Sequence, residues 1–170
     1  MDQDYENALI QVCIAIDGTA KRKWPTCKPG KRIRNFVDEY EAFIYQFASA
    51  GGMVLGGTGN MRGKIVFHGG ELPDILYKSV RCVLHHGDEL SHHLVIKEGN
   101  NIIGVDQGRI VMNKGFIDGL LFSVVSDKVN ERESCYSLPT YSFSGSTITI
   151  NEAWGKVHLI EKLTGYKKVF

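Results

Sequence analysis

The chain has 170 residues, 43% of them hydrophobic, which is enough to build one domain around a core. Its 20 basic and 19 acidic residues give a formal net charge of +1, which excludes a generally basic nucleic-acid-binding coat and leaves only a local patch. The four cysteines form no C-x-x-C pair, the first residues do not resemble a signal peptide, and no apolar run reaches the roughly 20 residues that span a bilayer. We therefore expect a soluble cytoplasmic protein that does not enter a membrane.

Two amphipathic helices are predicted in the first 50 residues. Apolar residues recur at near-helical spacing from Tyr5 to Asp17, and Gly18 is a natural stop. A second helix is predicted from about Lys31 to Ala50, because its apolar residues form one broad face. The basic segment, Lys21 to Arg34, contains seven basic residues and two prolines, so at least its first half is predicted to be a loop.

A glycine-rich stretch separates these helices from a third one. Gly51 to Gly70 is predicted to be a flexible loop or a loose hairpin, with strands at Met53–Leu55 and Lys64–Phe67. The third helix is predicted from about Glu71 to His86, and Gly87 can end it in a left-handed cap.

Short apolar pieces at His92–Val95 and Ile102–Met112, separated by turn residues, predict a small β-hairpin or meander. Asn113 is expected to cap a fourth helix over about Lys114–Arg132. The fold class is therefore mainly α, in the sense of α+β: a helical bundle with a small β-hairpin inserted after the third core helix.

The last 40 residues are predicted to be less regular. Glu133 to Ser144 is predicted to be a loop around Pro139, and Thr147 to Ile150 a strand. Asn151 is expected to cap a last short helix that ends before Gly165.

The end of the third helix carries the residues with the clearest chemical meaning. Arg81 is permanently cationic and can bind phosphate through two hydrogen bonds, while His85 and His86 can exchange protons near neutral pH. Helical residues four apart share a face, whereas residues five apart are separated by about 140°, so helical geometry pairs Arg81 with His85. A fixed cation beside a proton carrier suits the binding or cleavage of a phosphodiester.

The spacing of these residues is not specific by itself. Seven arginines and six histidines give about one Arg-x4–6-His match by chance, and Arg62 with His68 is indeed a second match in the glycine-rich stretch. Arg81 differs from that background because it lies near the predicted end of a core helix that Gly87 closes.

The order of these segments resembles the HEPN superfamily, whose mark is an Arg-x4–6-His motif near the end of a core helix. Arg81 and His86 match this motif with four intervening residues. Similarity to a bacterial subgroup extends over about residues 5 to 132, including the segments 8–20, 76–87 and 110–113. The resemblance implies one HEPN-like domain over residues 1–170, with its core at about 5–132 and a C-terminal extension at 133–170.

The resemblance also implies a metal-independent endoribonuclease without a cofactor, usually a homodimer whose two motifs line one cleft. Such a protein would be a toxin or a defence component, with RNA as substrate and an antitoxin or another protein as partner. RNA supplies its own 2′-hydroxyl nucleophile, a histidine can transfer the proton, and an arginine can stabilise the charge that develops on phosphorus. The motif assigns these catalytic roles to Arg81 and His86, and helical geometry makes His85 the rival.

Two alternatives remain open. Cys82 stands where many active members have a polar residue, often asparagine, which favours a non-catalytic module that binds RNA, a nucleotide or a protein. A third hypothesis is a metal-binding regulatory protein, because imidazoles and carboxylates bind zinc. Its spacing matches no familiar zinc motif, so we predict no metal site. The residues of this histidine cluster are His85, His86, Asp88, Glu89, His92 and His93.

The basic segment is the candidate nucleic-acid-binding element. Its cations could follow a phosphate backbone while Trp24 stacks on a base, and the alternative is a solvated charged loop. The basic candidates are Lys21, Arg22, Lys23, Lys28, Lys31, Arg32 and Arg34.

Overall fold

The computed structural model describes residues 2–49, 66–67, 70–78, 94–98, 103–107, 109–137, 139–143 and 145–164. The helices are α1 (Asp2–Lys23), α2 (Pro29–Ala48), α3 (helical at 72–78), α4 (Lys114–Ser126), α5 (Ile150–Ala153) and α6 (Val157–Thr164), with a 3-10 turn at Lys128–Asn130. The strands are β1 (Val66–Phe67), β2 (Gly70–Glu71), β3 (Leu94–Lys97), β4 (Ile103–Asp106), β5 (Arg109–Asn113), β6 (Thr140–Phe143) and β7 (Ser146–Thr149). The predicted class, mainly α with small sheets, is confirmed.

Helices α1, α2 and α4 pack against one another and form the centre of the core. The buried face of α2 repeats every three or four residues, because that spacing places side chains on one side of a helix. Helix α4 approaches α2 closely through two glycines. A Cβ atom added to Gly115 would lie 2.5 Å from the backbone oxygen of Phe47, and one added to Gly119 would lie 2.8 Å from Cα of Ile44. The buried residues of α2 are Phe36, Val37, Tyr40, Phe43, Ile44, Tyr45, Phe47 and Ala48.

A three-stranded sheet precedes α4, in the order β3-β5-β4. Strands β4 and β5 are antiparallel, which confirms the predicted hairpin, and Gln107 in its turn has a positive φ of 50°. Strand β3 joins β5 in parallel, which was not predicted. A hairpin can be predicted from the turn residues between its two strands. The pairing of parallel strands depends instead on how a longer connection packs.

Asn113 lies at the N-cap position of α4 but does not cap it as predicted. Its side-chain amide donates instead to the backbone oxygen of Ala48, at 2.6 Å. Ala48 lies in the last turn of α2, where the backbone carbonyls have no N–H partner within their own helix. The junction between β5 and α4 is thereby tied to the end of α2.

Two helix ends differ from the predictions. Helix α1 does not stop at Gly18 but continues to Lys23, which keeps Thr19 and Ala20 fully buried. Helix α4 ends at Ser126 rather than near Arg132, because the Asp127 carboxylate accepts the backbone N–H of Val129 and begins the 3-10 turn.

The C-terminal segment is more regular than predicted. The predicted loop at 133–144 contains β6, which pairs with β7, and the predicted last helix is divided into α5 and α6 by a turn with Gly155 at φ 68°. Thr149 forms the capping box of α5. The Asn151 side chain instead accepts the backbone N–H of Cys135 through Oδ1 and donates to the backbone oxygen of Cys135 through Nδ2. The predictions of a single helix and an Asn151 cap were therefore wrong, and the predicted loop is confirmed only for residues 133–137 and Pro139.

The same C-terminal segment belongs to the common core. The ring of Phe143 lies 5.0 Å from that of Phe47, and Phe122 stacks on Phe47 from α4 at 5.1 Å. Residues of β7, α5 and α6 are buried in the same cluster: Ile148, Ile150, Ala153, Ile160 and Leu163. Strands β6 and β7 and helices α5 and α6 thus pack as part of the common core.

Several predictions lie wholly or partly outside the described residues. The predicted strand at Met53–Leu55 is outside them, and of Lys64–Phe67 only β1 is described, paired with β2. The third helix is described at 72–78 alone, so its predicted end near His86 is outside as well. Within the described part of the chain, no helix has the length and apolar character required to cross a membrane.

Cys13 is expected to resist alkylation in the native protein. Its side chain is buried in α1, and burial raises the pKa of its thiol to about 12. At pH 8, well below that pKa, the thiolate fraction is on the order of 10⁻⁴, and the thiolate is the reactive form. Peptide mass spectrometry after brief iodoacetamide treatment should show modification of the partly exposed Cys27 and Cys135 before Cys13. Equal labelling of Cys13 and Cys27 would contradict this burial.

Candidate functional site

The motif residues lie outside the described part of the chain. The Arg62–His68 pair and the histidine cluster lie outside it as well. The residues concerned are Arg62, His68, Arg81, Cys82, His85, His86, Asp88, Glu89, His92 and His93. Their catalytic and metal-binding roles therefore stay predictions. The described helix that leads toward the motif in sequence is α3.

Helix α3 is held against the beginning of α2 by two contacts. The Arg34 guanidinium forms an ion pair with the Asp74 carboxylate, which raises the pKa of Arg34. One turn earlier in α2, a Cβ atom added to Gly30 would lie 3.1 Å from the ring of Tyr77, so α3 packs closely on this turn. Since Arg81 follows Tyr77 by four residues in the sequence, the basic segment adjoins the helix that precedes the motif.

Four of the seven cations of the basic segment are paired with carboxylates of this chain. Arg22 bonds Glu133 at 2.6 Å, and Arg34 bonds Asp74 as described above. Arg32 holds Asp17 through two hydrogen bonds of 2.7 and 2.8 Å, a bidentate geometry that raises the pKa of Arg32. A phosphate would have to displace these carboxylates to reach the guanidinium groups.

Lys23 is the fourth paired cation, and it contacts two carboxylates. Its ammonium group lies 2.6 Å from Glu39 and 2.9 Å from Asp127, whose side chain is 1% exposed. Burial alone would lower the pKa of Lys23, but the hydrogen bonds to both carboxylates outweigh it and raise the pKa. The Tyr40 hydroxyl also donates to Asp127, at 3.0 Å, and its own pKa is raised by burial and by that carboxylate.

The other three cations, Lys21, Lys28 and Lys31, are exposed and form no ion pair with any described residue. Trp24 is partly buried, and the Lys23 ammonium lies 5.1 Å from its ring centre. That cation–π contact occupies one side of the indole on which a base was predicted to stack. The structure thus divides the basic segment into four structural cations and three that face solvent.

Sequence analysis missed the carboxylates that neutralise this segment. Asp17, Glu39 and Asp74 lie 15 to 40 residues from their partners, and Asp127 and Glu133 lie more than 100 residues away. No local pattern links such positions, because the pairing depends on how the helices pack. Within the described ranges, no group of three or more histidine, cysteine or acidic side chains could hold a metal ion.

Comparison with known proteins gives a match at the level of a family. A family model described as Rv1289 matches residues 1–170. No curated protein and no solved structure shows significant similarity to the chain.

Proposed function

For this chain, which belongs to the Rv1289 family, we propose the function of a metal-independent endoribonuclease of HEPN type. Arg81 and His86 are its proposed catalytic residues, and two copies of the chain would bring their motifs to one cleft. In this mechanism a histidine removes the proton of the RNA 2′-hydroxyl or protonates the leaving oxygen. The arginine stabilises the charge that develops on phosphorus.

The observation that carries the proposal is the contact between the start of α2 and α3. The Arg34–Asp74 ion pair and the packing of Tyr77 on Gly30 place the exposed Lys28 and Lys31 on the helix end that adjoins α3. Cations at that position can hold an RNA backbone beside α3, the described helix that precedes Arg81 in the sequence. The element order, with α4 returning onto α1 and α2 after the sheet, also agrees with the helical bundle that the resemblance implies.

The test is cleavage of labelled single-stranded RNA in the presence of EDTA. We expect His86→Ala and Arg81→Ala to lower the cleavage rate by about 100-fold or more, which is typical for the loss of an acid–base group or a charge-stabilising group. His85→Ala separates the two histidines, since only the acting one should reduce the rate strongly. Arg62→Ala is the matched control, because Arg62 belongs to the chance match with His68 and should leave the rate unchanged.

Equal rates for the wild type, His86→Ala and Arg81→Ala would refute the mechanism. Light scattering on the same samples measures the molar mass, which should be twice that of the 19.0 kDa chain. RNA binding without cleavage would favour the non-catalytic alternative, which Cys82 supports. In that case Lys28→Gln and Lys31→Gln should each weaken binding and reduce its dependence on salt.

A further inference from the structure

A pocket of about 660 Å³ opens between the end of α1, helix α2, the 3-10 turn and the turn that joins α5 to α6. Its volume is within the range of small-molecule sites, which is about 300–1,000 Å³. Ser126, Asp127 and Trp154 contribute to its interior, and Lys128, Arg132 and Lys156 contribute exposed cations to its rim. None of these residues belongs to the proposed RNA site.

Two polar atoms of the pocket lining lack a hydrogen-bond partner among the described residues. They are the hydroxyl of Ser126, a residue with 0% exposure, and the indole nitrogen of Trp154, which is itself buried. Neither atom has accessible surface in this structure, so neither is exposed to the pocket.

The charged groups of the pocket indicate where a negative charge would be bound. Asp127 already accepts hydrogen bonds from Lys23, Tyr40 and the backbone N–H of Val129, so its carboxylate is satisfied within the protein. At the rim, Lys128 is paired with Glu131. Arg132 and Lys156 are exposed and form no ion pair within the described part of the chain.

We propose that this pocket binds a small amphipathic anion. An apolar body lies in the pocket against lining residues that include Tyr40, Trp154 and Val157. A phosphate or carboxylate group remains at the rim with Arg132 and Lys156, away from the buried Asp127. The proposal does not depend on RNA cleavage, so either can fail without the other.

The indole N–H resonances of the full-length ¹⁵N-labelled protein test this proposal directly. The chain has two tryptophans, Trp24 and Trp154, and only Trp154 contributes to the pocket. We expect the Trp154 resonance, assigned with a Trp24→Phe variant, to move during titration with 4-nitrophenyl phosphate or 4-nitrobenzoate, while that of Trp24 stays in place. The phosphate and the carboxylate probes differ in the anionic group alone, so their relative affinities identify which anion the rim prefers.

Variants of the rim distinguish the pocket from general surface binding. Arg132→Gln and Lys156→Gln should each raise the Kd of the tighter-binding probe by about fivefold, since each removes a partly solvated charge pair. Lys162→Gln is the matched control, because Lys162 is an exposed lysine of α6 that does not contribute to the pocket. All three side chains are exposed, so these changes should leave the fold intact.

Four results would overturn the proposal. A Trp154 resonance that stays in place up to about 10 mM of either probe would exclude even weak binding. Equal binding of neutral 4-nitrobenzyl alcohol would remove the role of the rim cations. Equal binding of inorganic phosphate alone would remove the role of the apolar body. An equal loss of affinity in Lys162→Gln would show that the anion responds to overall charge.

Discussion

Replacing Gly119 by alanine is expected to destabilise the protein by about 1–3 kcal/mol, because overpacking a core usually costs this much. The added Cβ atom would lie 2.8 Å from Cα and 2.9 Å from the backbone oxygen of Ile44. Both are backbone atoms of α2, so no side chain can rotate away to make room. Helices α2 and α4 would have to separate, which would loosen the packing at the centre of the core.

Gly18→Ala is the matched control for this substitution. Gly18 is an exposed residue inside α1, and a Cβ atom added there has no neighbour within 4 Å. Alanine should stabilise the protein by about 0.5–1 kcal/mol at such a helix position. Urea denaturation followed by circular dichroism measures both free energies of unfolding. Changes of the same sign in the two variants would contradict the close contact between α2 and α4.

Replacing Lys23 by methionine is expected to lower the free energy of unfolding by about 2–3 kcal/mol, since it leaves a buried carboxylate without its cation. The affected group is Asp127, which is 1% exposed and would keep only its hydrogen bonds from Tyr40 and the Val129 N–H. Lys23 itself is 25% exposed, so solvent moderates the loss relative to a fully buried pair.

Arg22→Met tests the neighbouring cation of the same helix turn. Its ion pair with Glu133 is about half exposed on both sides, with side chains 48% and 49% accessible, so its loss should cost at most about 1 kcal/mol. Chemical denaturation at neutral pH measures the free energies of unfolding of Lys23→Met and Arg22→Met for this comparison. Similar losses for Lys23 and Arg22 would show that burial of Asp127 does not set the size of the effect.

The pH dependence of the Lys23 contribution has a definite sign. The two carboxylates raise the pKa of Lys23 above its ordinary value of 10.5 in the folded protein. Its stabilising contribution is therefore complete below that value and is lost only as the pH rises above it. The charge of Lys23 therefore does not change below pH 10.5. As far as this charge alone is concerned, the difference in the free energy of unfolding between the wild type and Lys23→Met should be the same at every pH below 10.5.

Local patterns predicted much of the fold because their causes are local. The apolar spacing of α2 follows from the helical period, and the hairpin of β4 and β5 follows from turn residues between two apolar runs. Gly18 misled the prediction for α1 because a glycine favours a helix end only when nothing beyond it needs burial. Here Thr19 and Ala20 lie in the core, so the helix continues past the glycine.

Side-chain capping was predicted less well, for a similar reason. Asn113 stands at the N-cap position of α4 and Asn151 lies within α5, and the side chain of each bonds the backbone of another segment. Each of these amides satisfies polar backbone groups from a segment distant in sequence: Asn113 bonds the end of α2, and Asn151 bonds the residue Cys135. Such competition depends on which segments meet in the folded chain.

The sequence alone predicted the mainly helical class and the hairpin before α4, whereas the roles proposed for Arg81 and His86 follow from the resemblance and stay predictions. Only the tertiary structure shows that Lys23 forms ion pairs with Glu39 and Asp127, and that Ser126 and Trp154 are lining residues of one pocket. The physical reason is the range of the interactions involved. Periodicity and turns depend on neighbouring residues, whereas ion pairs and pockets join residues that become neighbours only when helices pack.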